Sequence, residues 1–195
     1  GEFTTSDIDT LKVLGTATGG FRNGSSLGID TTNAPTVVSY NSVISDTNAG
    51  ANSIGLTKLG TGRLELTNSN TYSGPTIVNA GVLTINGSSS GGGAVQVKGG
   101  TFNGGVSGAP VSILTSQITV GSAGTFSAGS SAAGDDGNGV GRMNMIGAAT
   151  WTGGSTMIFD FASTQSDGIT GAGTNWDLLT LSGGLSYAGV GNITV

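Results

Sequence analysis

Apolar and polar residues alternate in short runs along this chain, and glycine or asparagine interrupts each run before it reaches helical length. In Leu56–Asn86, LTKLGTGRLELTNSNTYSGPTIVNAGVLTIN, two short alternating strands stand out at Arg63–Thr67 and Thr76–Val78, and a third begins at Val82. Period-two alternation bounded by Gly and Asn predicts half-buried strands joined by tight turns. A glycine precedes each strand: Gly62 before Arg-Leu-Glu-Leu, Gly81 before Val-Leu-Thr-Ile, Gly100 before Thr-Phe-Asn and Gly124 before Thr-Phe-Ser, at spacings of 19, 19 and 24 residues. Gly154 and Gly184 are looser members, each 30 residues further on. Such periods are those of solenoid coils, with loops of variable length inserted between strands of fixed register. Alternation then sends Leu64, Leu83, Phe102 and Phe126 into one inward column, and Arg63, Val82, Thr101 and Thr125 into an outward one. Val78, Val97 and Val120 predict a second inward stack. The fold expected is all-β, a single parallel β-helix domain over residues 4–195. An antiparallel β-sandwich is the alternative, because short strands with Gly turns suit both. About eight rungs at about 4.8 Å each predict a rod of roughly 40 Å.

The flanks are less regular. Leu27–Asp30, Thr36–Tyr40 and Ser42–Ser45 read as strands between Asn, Asp and Gly turns. No sustained i, i+3, i+4 pattern with caps appears, so no helix is expected. The C-terminal third gathers Trp151, Phe159, Phe161, Trp176 and Tyr187. In Met157–Phe161 alternation points Met157, Phe159 and Phe161 inward and Asp160 outward, and the aromatics together read as a plug sealing the last coils.

The Leu56–Asn86 run also resembles a known family, the autotransporter-associated β-strand repeat, or passenger-associated transport repeat. The residues carrying the resemblance are Leu56, Lys58, Gly60, Gly62, Leu64, Leu66, Asn70, Tyr72, Gly74, Thr76, Val78, Gly81 and Leu83. It implies a bacterial surface or secreted protein on a right-handed parallel β-helix, and it implies no reaction. Trp176-Asp177-Leu178-Leu179 resembles the coil that follows the repeat in related bacterial surface proteins.

Composition narrows the reading. Glycine contributes 38 of 195 residues and charged residues only 9%, a bias shared with low-complexity disorder. Hydrophobic residues nevertheless reach 35%, mean hydropathy is slightly positive, and the aliphatics alternate, so the chain is expected to fold. Net charge is -5, with six basic residues dispersed from Lys12 to Arg142, which disfavours nucleic acid as a partner. No apolar run reaches the length needed to span a bilayer as a helix, so no direct membrane insertion is expected. Gly1-Glu2-Phe3 reads as a cloning scar, and the end at Val195 as a cut from a longer chain. The chain has no cysteine: either the core suffices without disulfides, or, in the setting the resemblance implies, a thiol-free chain avoids cross-linking before export.

Catalytic chemistry finds little support. β-Helical glycosidases need carboxylates converging on a groove, one neutral and one ionised. The eleven carboxylates here are scattered, and histidine is absent. There is no Arg-x-Lys, no Gly-x-Ser-x-Gly elbow between a strand and a helix, and no third glycine after Gly139-Val-Gly141 or Gly171-Ala-Gly173. A non-enzymatic chain without cofactor is the expectation. Its partners would be neighbouring domains of a parent protein, glycans, or other copies of itself. The loop Gly134–Gly141, GDDGNGVG, holds the one calcium candidate, Asp135, Asp136 and Asn138. It gathers hard oxygen donors, but it lacks the spacing and closing Glu of an EF-hand, and a solvated loop is the reading preferred. Calcium is therefore expected to leave the melting temperature unchanged. A calcium-dependent rise that the double substitution Asp135→Ala, Asp136→Ala abolishes would make the loop a metal site.

Overall fold

The structure is a computed structural model that describes residues 4–14, 20–34, 37–104, 110–115, 117–129, 141–159 and 178–189. A short helix, α1 (Thr5–Val13), precedes a succession of strands that return to the same rows coil after coil. The first coil holds β1 (Ser25–Asp30) and β2 (Val38–Tyr40), and the second β3 (Ile54–Leu59), β4 (Arg63–Leu66) and β5 (Ser69–Asn70). The third holds β6 (Thr76–Val78), β7 (Val82–Ile85) and β8 (Ser88–Gly92). β9 (Val95–Gly104) with β10 (Pro110–Thr115), and β11 (Gln117–Ser127) with β12 (Arg142–Met145), form the next two. β13 (Ala148–Thr152), β14 (Thr156–Ile158) and β15 (Leu178–Leu181) follow, then β16 (Leu185–Ala188).

These strands stack in three rows. The first runs β1-β3-β6-β9-β11-β13-β16, and the second β2-β4-β7-β9-β11-β14, joined to the first because β9 and β11 continue round the corner. The third runs β5-β8-β10-β12-β15 as a separate sheet. Every pairing between described strands is parallel. A single antiparallel bridge, Thr47 to Asn52, lies outside the strands. Parallel rows returning after each coil are the arrangement of a β-helix, and the antiparallel sandwich is excluded. The first row has seven levels where the sequence suggests about eight rungs. Along it the partners Leu56, Thr76, Val95, Ile118, Ala149 and Leu185 lie 20, 19, 23, 31 and 36 residues apart. Register is conserved while loops lengthen.

The inward columns follow the alternation. Leu64, Leu83, Phe102 and Phe126 stack in register and are essentially solvent-free. Val78, Val97 and Val120 form the second buried column. Phe102 and Phe126 stack with ring centroids 6.3 Å apart, and Trp151 meets Phe126 edge-on at 5.7 Å. Met143 and Met145 of β12 belong to the same core. Each fully buried Leu or Phe contributes about 1.5–3 kcal/mol.

Several expectations are corrected. Helix α1 exists because Asp7 reaches back over its first turn, accepting bonds from the Thr4 amide at 2.6 Å and the Thr4 hydroxyl at 2.7 Å, which satisfies an otherwise orphaned donor. Nine residues with one buried position, Ile8, leave no sustained period to read; tertiary contacts hold the helix. Ser42–Ser45 is not a strand. The Ile44 amide donates to the Asn70 side chain at 2.9 Å instead of a neighbouring strand, and its carbonyl accepts from the Thr71 amide. Gly154 is displaced by one: Thr125 pairs with Thr156, so Ser155 occupies the level of Gly124, in a turn where the Ser155 amide bonds the Thr152 carbonyl at 3.1 Å. Gly184 precedes β16, which stacks on β13 in the first row, and so is no member of the Gly62 series. Arg63 is 6% exposed although alternation points it outward; a long basic stem readily lies along the sheet. Of the expected plug, Trp151 is buried and Phe159 packs against the core, but Tyr187 is exposed. Asp160, Phe161, Trp176 and Asp177 lie outside the described residues.

Replacing Leu83 by Asp sets an unpaired charge in the inward column and is expected to abolish cooperative melting, because such burial costs several kcal/mol. Thr57→Asp, half-buried and outward on β3, loses its bond to Ser26 and is expected to melt cooperatively within about 1.5 kcal/mol of wild type. Circular dichroism melts of both variants check the assigned facing.

Candidate functional site: the glycine-rich repeat

The segment Leu56–Leu83 runs through the second coil and into the third, stacking β6 on β3 and β7 on β4. Leu56, Leu64, Leu66, Val78 and Leu83 are buried. Lys58 shares their face. In the column Ile29–Lys58–Val78 it occupies a core position and is fully buried. Its ammonium donates to the carbonyls of Leu59 (2.8 Å), Gly60 (2.8 Å) and Ala80 (3.2 Å). One charged head thus binds carbonyls from two successive corners, of which Leu59 also accepts from the Thr31 amide at 3.0 Å, and charge-assisted bonds of this kind are the strong ones. Burial pulls the Lys58 pKa from 10.5 down to about 8, opposed by the nearby Asp30 carboxylate.

The corner leaves no room for side chains. Gly81 has φ of 65°, in the left-handed region that favours glycine. A Cβ there would run into the carbonyl oxygens of Gly60 and Gly62 and stand 2.8 Å from Lys58 Nζ. The Gly62 carbonyl accepts from the Val82 amide (3.2 Å), and the Gly81 carbonyl from the Thr101 amide (2.8 Å), so the corners form their own ladder. Gly74 makes the second close approach: its amide donates to the Ile54 carbonyl at 2.9 Å, and a Cβ would collide with that same oxygen.

Polar motif residues are spent internally. Asn70, almost fully buried, accepts from the Ile44 amide at 2.9 Å and donates to the carbonyls of Asn68 (2.9 Å) and Ser88 (3.5 Å), joining three coils. The Tyr72 hydroxyl pairs with the Thr76 hydroxyl at 2.6 Å, so two polar groups enter the core at low cost; burial pushes the Tyr72 pKa up. Asp46, outside the motif, accepts from the amides of Ile54 and Ser73 at 3.0 Å each and from the Ser73 hydroxyl at 2.6 Å. Burial works to raise its pKa, but these bonds hold it below the usual carboxylate range. A deeper pair, Thr84 and Asn103, is linked at 2.7 Å.

The thirteen motif residues are thus placed in the second and third coils and their corners. The roles of Lys58 and Asp46 escaped sequence reasoning. For Lys58 a signal existed: alternation puts it on the face of Leu56, a position where a cation requires acceptors. Nothing in the local sequence marks Asp46, whose Ser73 partner lies 27 residues away. The calcium candidates Asp135, Asp136 and Asn138 lie outside the described residues. Among the described residues no group of three His, Cys, Asp or Glu could hold a metal ion, and no helix is long and apolar enough to cross a membrane. A shallow groove beside α1 is lined by Leu11, Gly20, Phe21, Ser25 and Ser26 and carries no titratable group.

Fold and site together define a repeat-built parallel β-solenoid whose distinctive residues serve its own stacking. Residues 56–85 match the family model described as Passenger-associated-transport-repeat, in agreement with the resemblance carried by the motif. No curated protein and no solved structure matches the chain.

Lys58→Ala is expected to cost about 2–4 kcal/mol, through a cavity and the loss of the ammonium from the carbonyls of Gly60 and Ala80. The native Lys58 pKa lies below its unfolded value, so the unfolded state binds more protons between about pH 8 and 10.5, and stability rises with pH across that window. Urea midpoints are therefore expected to rise from pH 8 to 10 in the wild type and to stay flat in Lys58→Met. A wild-type midpoint that does not rise would contradict the burial of the charge.

Proposed function

We propose that the chain is a structural passenger segment of a bacterial secreted or surface protein, a non-catalytic stalk that displays neighbouring domains outside the cell and whose folding there assists export. The observation supporting this most directly is that the polar motif residues Lys58, Asn70, Tyr72 and Thr76 bond to backbone or to one another between coils. Their groups do not converge on an open cleft. Seven levels in the first row, at about 4.8 Å per level, span about 30 Å. A rod of this kind lengthens by adding coils without altering those it already has.

Adhesion to glycans is the second reading, motivated by the outward hydroxyls of the first row. Two observations count against it as the main role. Ser26 and Thr57 share a bond at 2.8 Å, and Thr150 and Ser186 one at 2.9 Å, so these hydroxyls already bond along the ladder.

The test fuses the chain to an outer-membrane barrel in a bacterial host and reads surface exposure by external protease. Wild type is expected to reach the surface and resist cleavage, whereas Gly81→Val, which jams the corner, is expected to lower display several-fold. Equal display of both would contradict the export role. Saturable, salt-tolerant binding in a polysaccharide panel would favour adhesion instead.

A further inference from the structure

Four Asn-Gly pairs occur in the chain: Asn23-Gly24, Asn86-Gly87, Asn103-Gly104 and Asn138-Gly139. In an open chain such a pair is chemically labile, because glycine has no side chain to hold its nitrogen away from the preceding carboxamide. The deprotonated Gly nitrogen attacks Asn Cγ. The N–Cγ bond forms, the Cγ–Nδ2 bond breaks, and ammonia leaves after taking up a proton. Water then opens the succinimide at either carbonyl and leaves aspartate or isoaspartate. The net change consumes water and releases ammonia, with no enzyme or oxidant.

The fold holds two of these pairs shut on neighbouring coils. The Gly87 amide donates to the Leu66 carbonyl at 3.2 Å, and the Asn86 carboxamide donates to Glu65. A Cβ on Gly87 would collide with the Asn68 carbonyl, so ring closure would have to break both bonds where no extra carbon fits. Gly104 pairs with Ile85 and is pressed against its carbonyl in the same way. Asn103 is fully buried and accepts from the Thr84 hydroxyl at 2.7 Å. Thr84 is its register partner, so the two pairs meet at one corner of the stack.

We propose that Asn86-Gly87 and Asn103-Gly104 are self-modification sites that open only in the unfolded chain, and that their conversion makes a failure to fold permanent. At position 86 the product sets a second carboxylate against Glu65 in place of a donor, and like charges repel. At position 103 it puts a negative charge in a fully buried place, which is costly without a partner. An isoaspartyl link also adds a carbon to the main chain and shifts the residues that follow against the row below. Asn23 is the contrast. It is exposed, and its Oδ1 accepts from the Ser53 amide at 2.9 Å, a bond that aspartate keeps. Chemical change that outruns refolding turns reversible unfolding into irreversible loss. This inference does not depend on the stalk reading.

The test incubates the whole chain in mildly alkaline buffer, native or in guanidinium chloride, and locates converted residues by peptide mass mapping. Residues 86 and 103 are expected to convert about tenfold faster or more in the unfolded sample. After return to native buffer, the protease-resistant fraction is expected to carry intact Asn86 and Asn103, and the digested fraction the converted ones. Conversion at Asn23 is expected in both fractions. Asn86→Ser with Asn103→Ser, the latter matching Ser127 one coil on, is expected to keep its refolding yield after the same incubation. Native conversion at 86 and 103 as fast as in denaturant would overturn the proposal. So would equal conversion there in resistant and digested fractions, or a double variant that folds yet loses yield as the wild type does.

Discussion

Parallel strands bond equally well in any register, so a stack of coils depends on whatever fixes which residue lies over which. In this chain the corners fix it. The Val82 and Thr101 amides bond the Gly62 and Gly81 carbonyls directly below them, and the approach is so close that no Cβ fits at Gly81. Once the corner is set, alternation carries every following side chain to its face, and a slip of one residue would turn Leu64, Leu83, Phe102 and Phe126 outward together. The hydrophobic columns supply the free energy, and the corners choose the register.

Lys58 shows how that choice is secured. A cation in a valine column is costly, and its lowered pKa records that cost. One ammonium serves the carbonyls of Leu59, Gly60 and Ala80 at the bend, and the Leu59 carbonyl also holds the Thr31 amide. Asn70 does comparable work where the chain passes Ile44 without forming a strand. Both replace missing ladder bonds with side-chain ones, which is why irregular coils still stack on regular ones. At the first coil α1 takes a similar part. Asp9 is held to about pKa 2 by its bonds, first to Lys12 and then to Tyr40 and Ser42, and these bonds tie the helix to the first coil.

Much of this architecture was legible in the sequence because two signals coincide, the period-two alternation and glycines 19 residues apart. They gave the columns of Leu64 and Val78 correctly and identified the repeat. They lost the thread where the coils lengthen to 31 and 36 residues, since Ser155 and not Gly154 stands at the level of Gly124 and Gly184 belongs to another row. Helix α1 was hidden because one capping pair and one buried Ile8 make no period. The site was legible as a set of residues but not as a mechanism. Asp46 and Asn70 act across 26 or 27 positions of sequence, and only the folded coil brings these partners together.

Residue-resolved hydrogen exchange in the native state tests most directly whether the corners and columns form one cooperative stack. The amides of Leu56, Thr76, Val82 and Thr101, each bonded to a neighbouring coil, are expected to exchange with a common free energy equal to that of global unfolding. Corner amides Val82 and Thr101 exchanging orders of magnitude faster than Leu56 and Thr76 would show that the corners open on their own, and would contradict their role in setting the register.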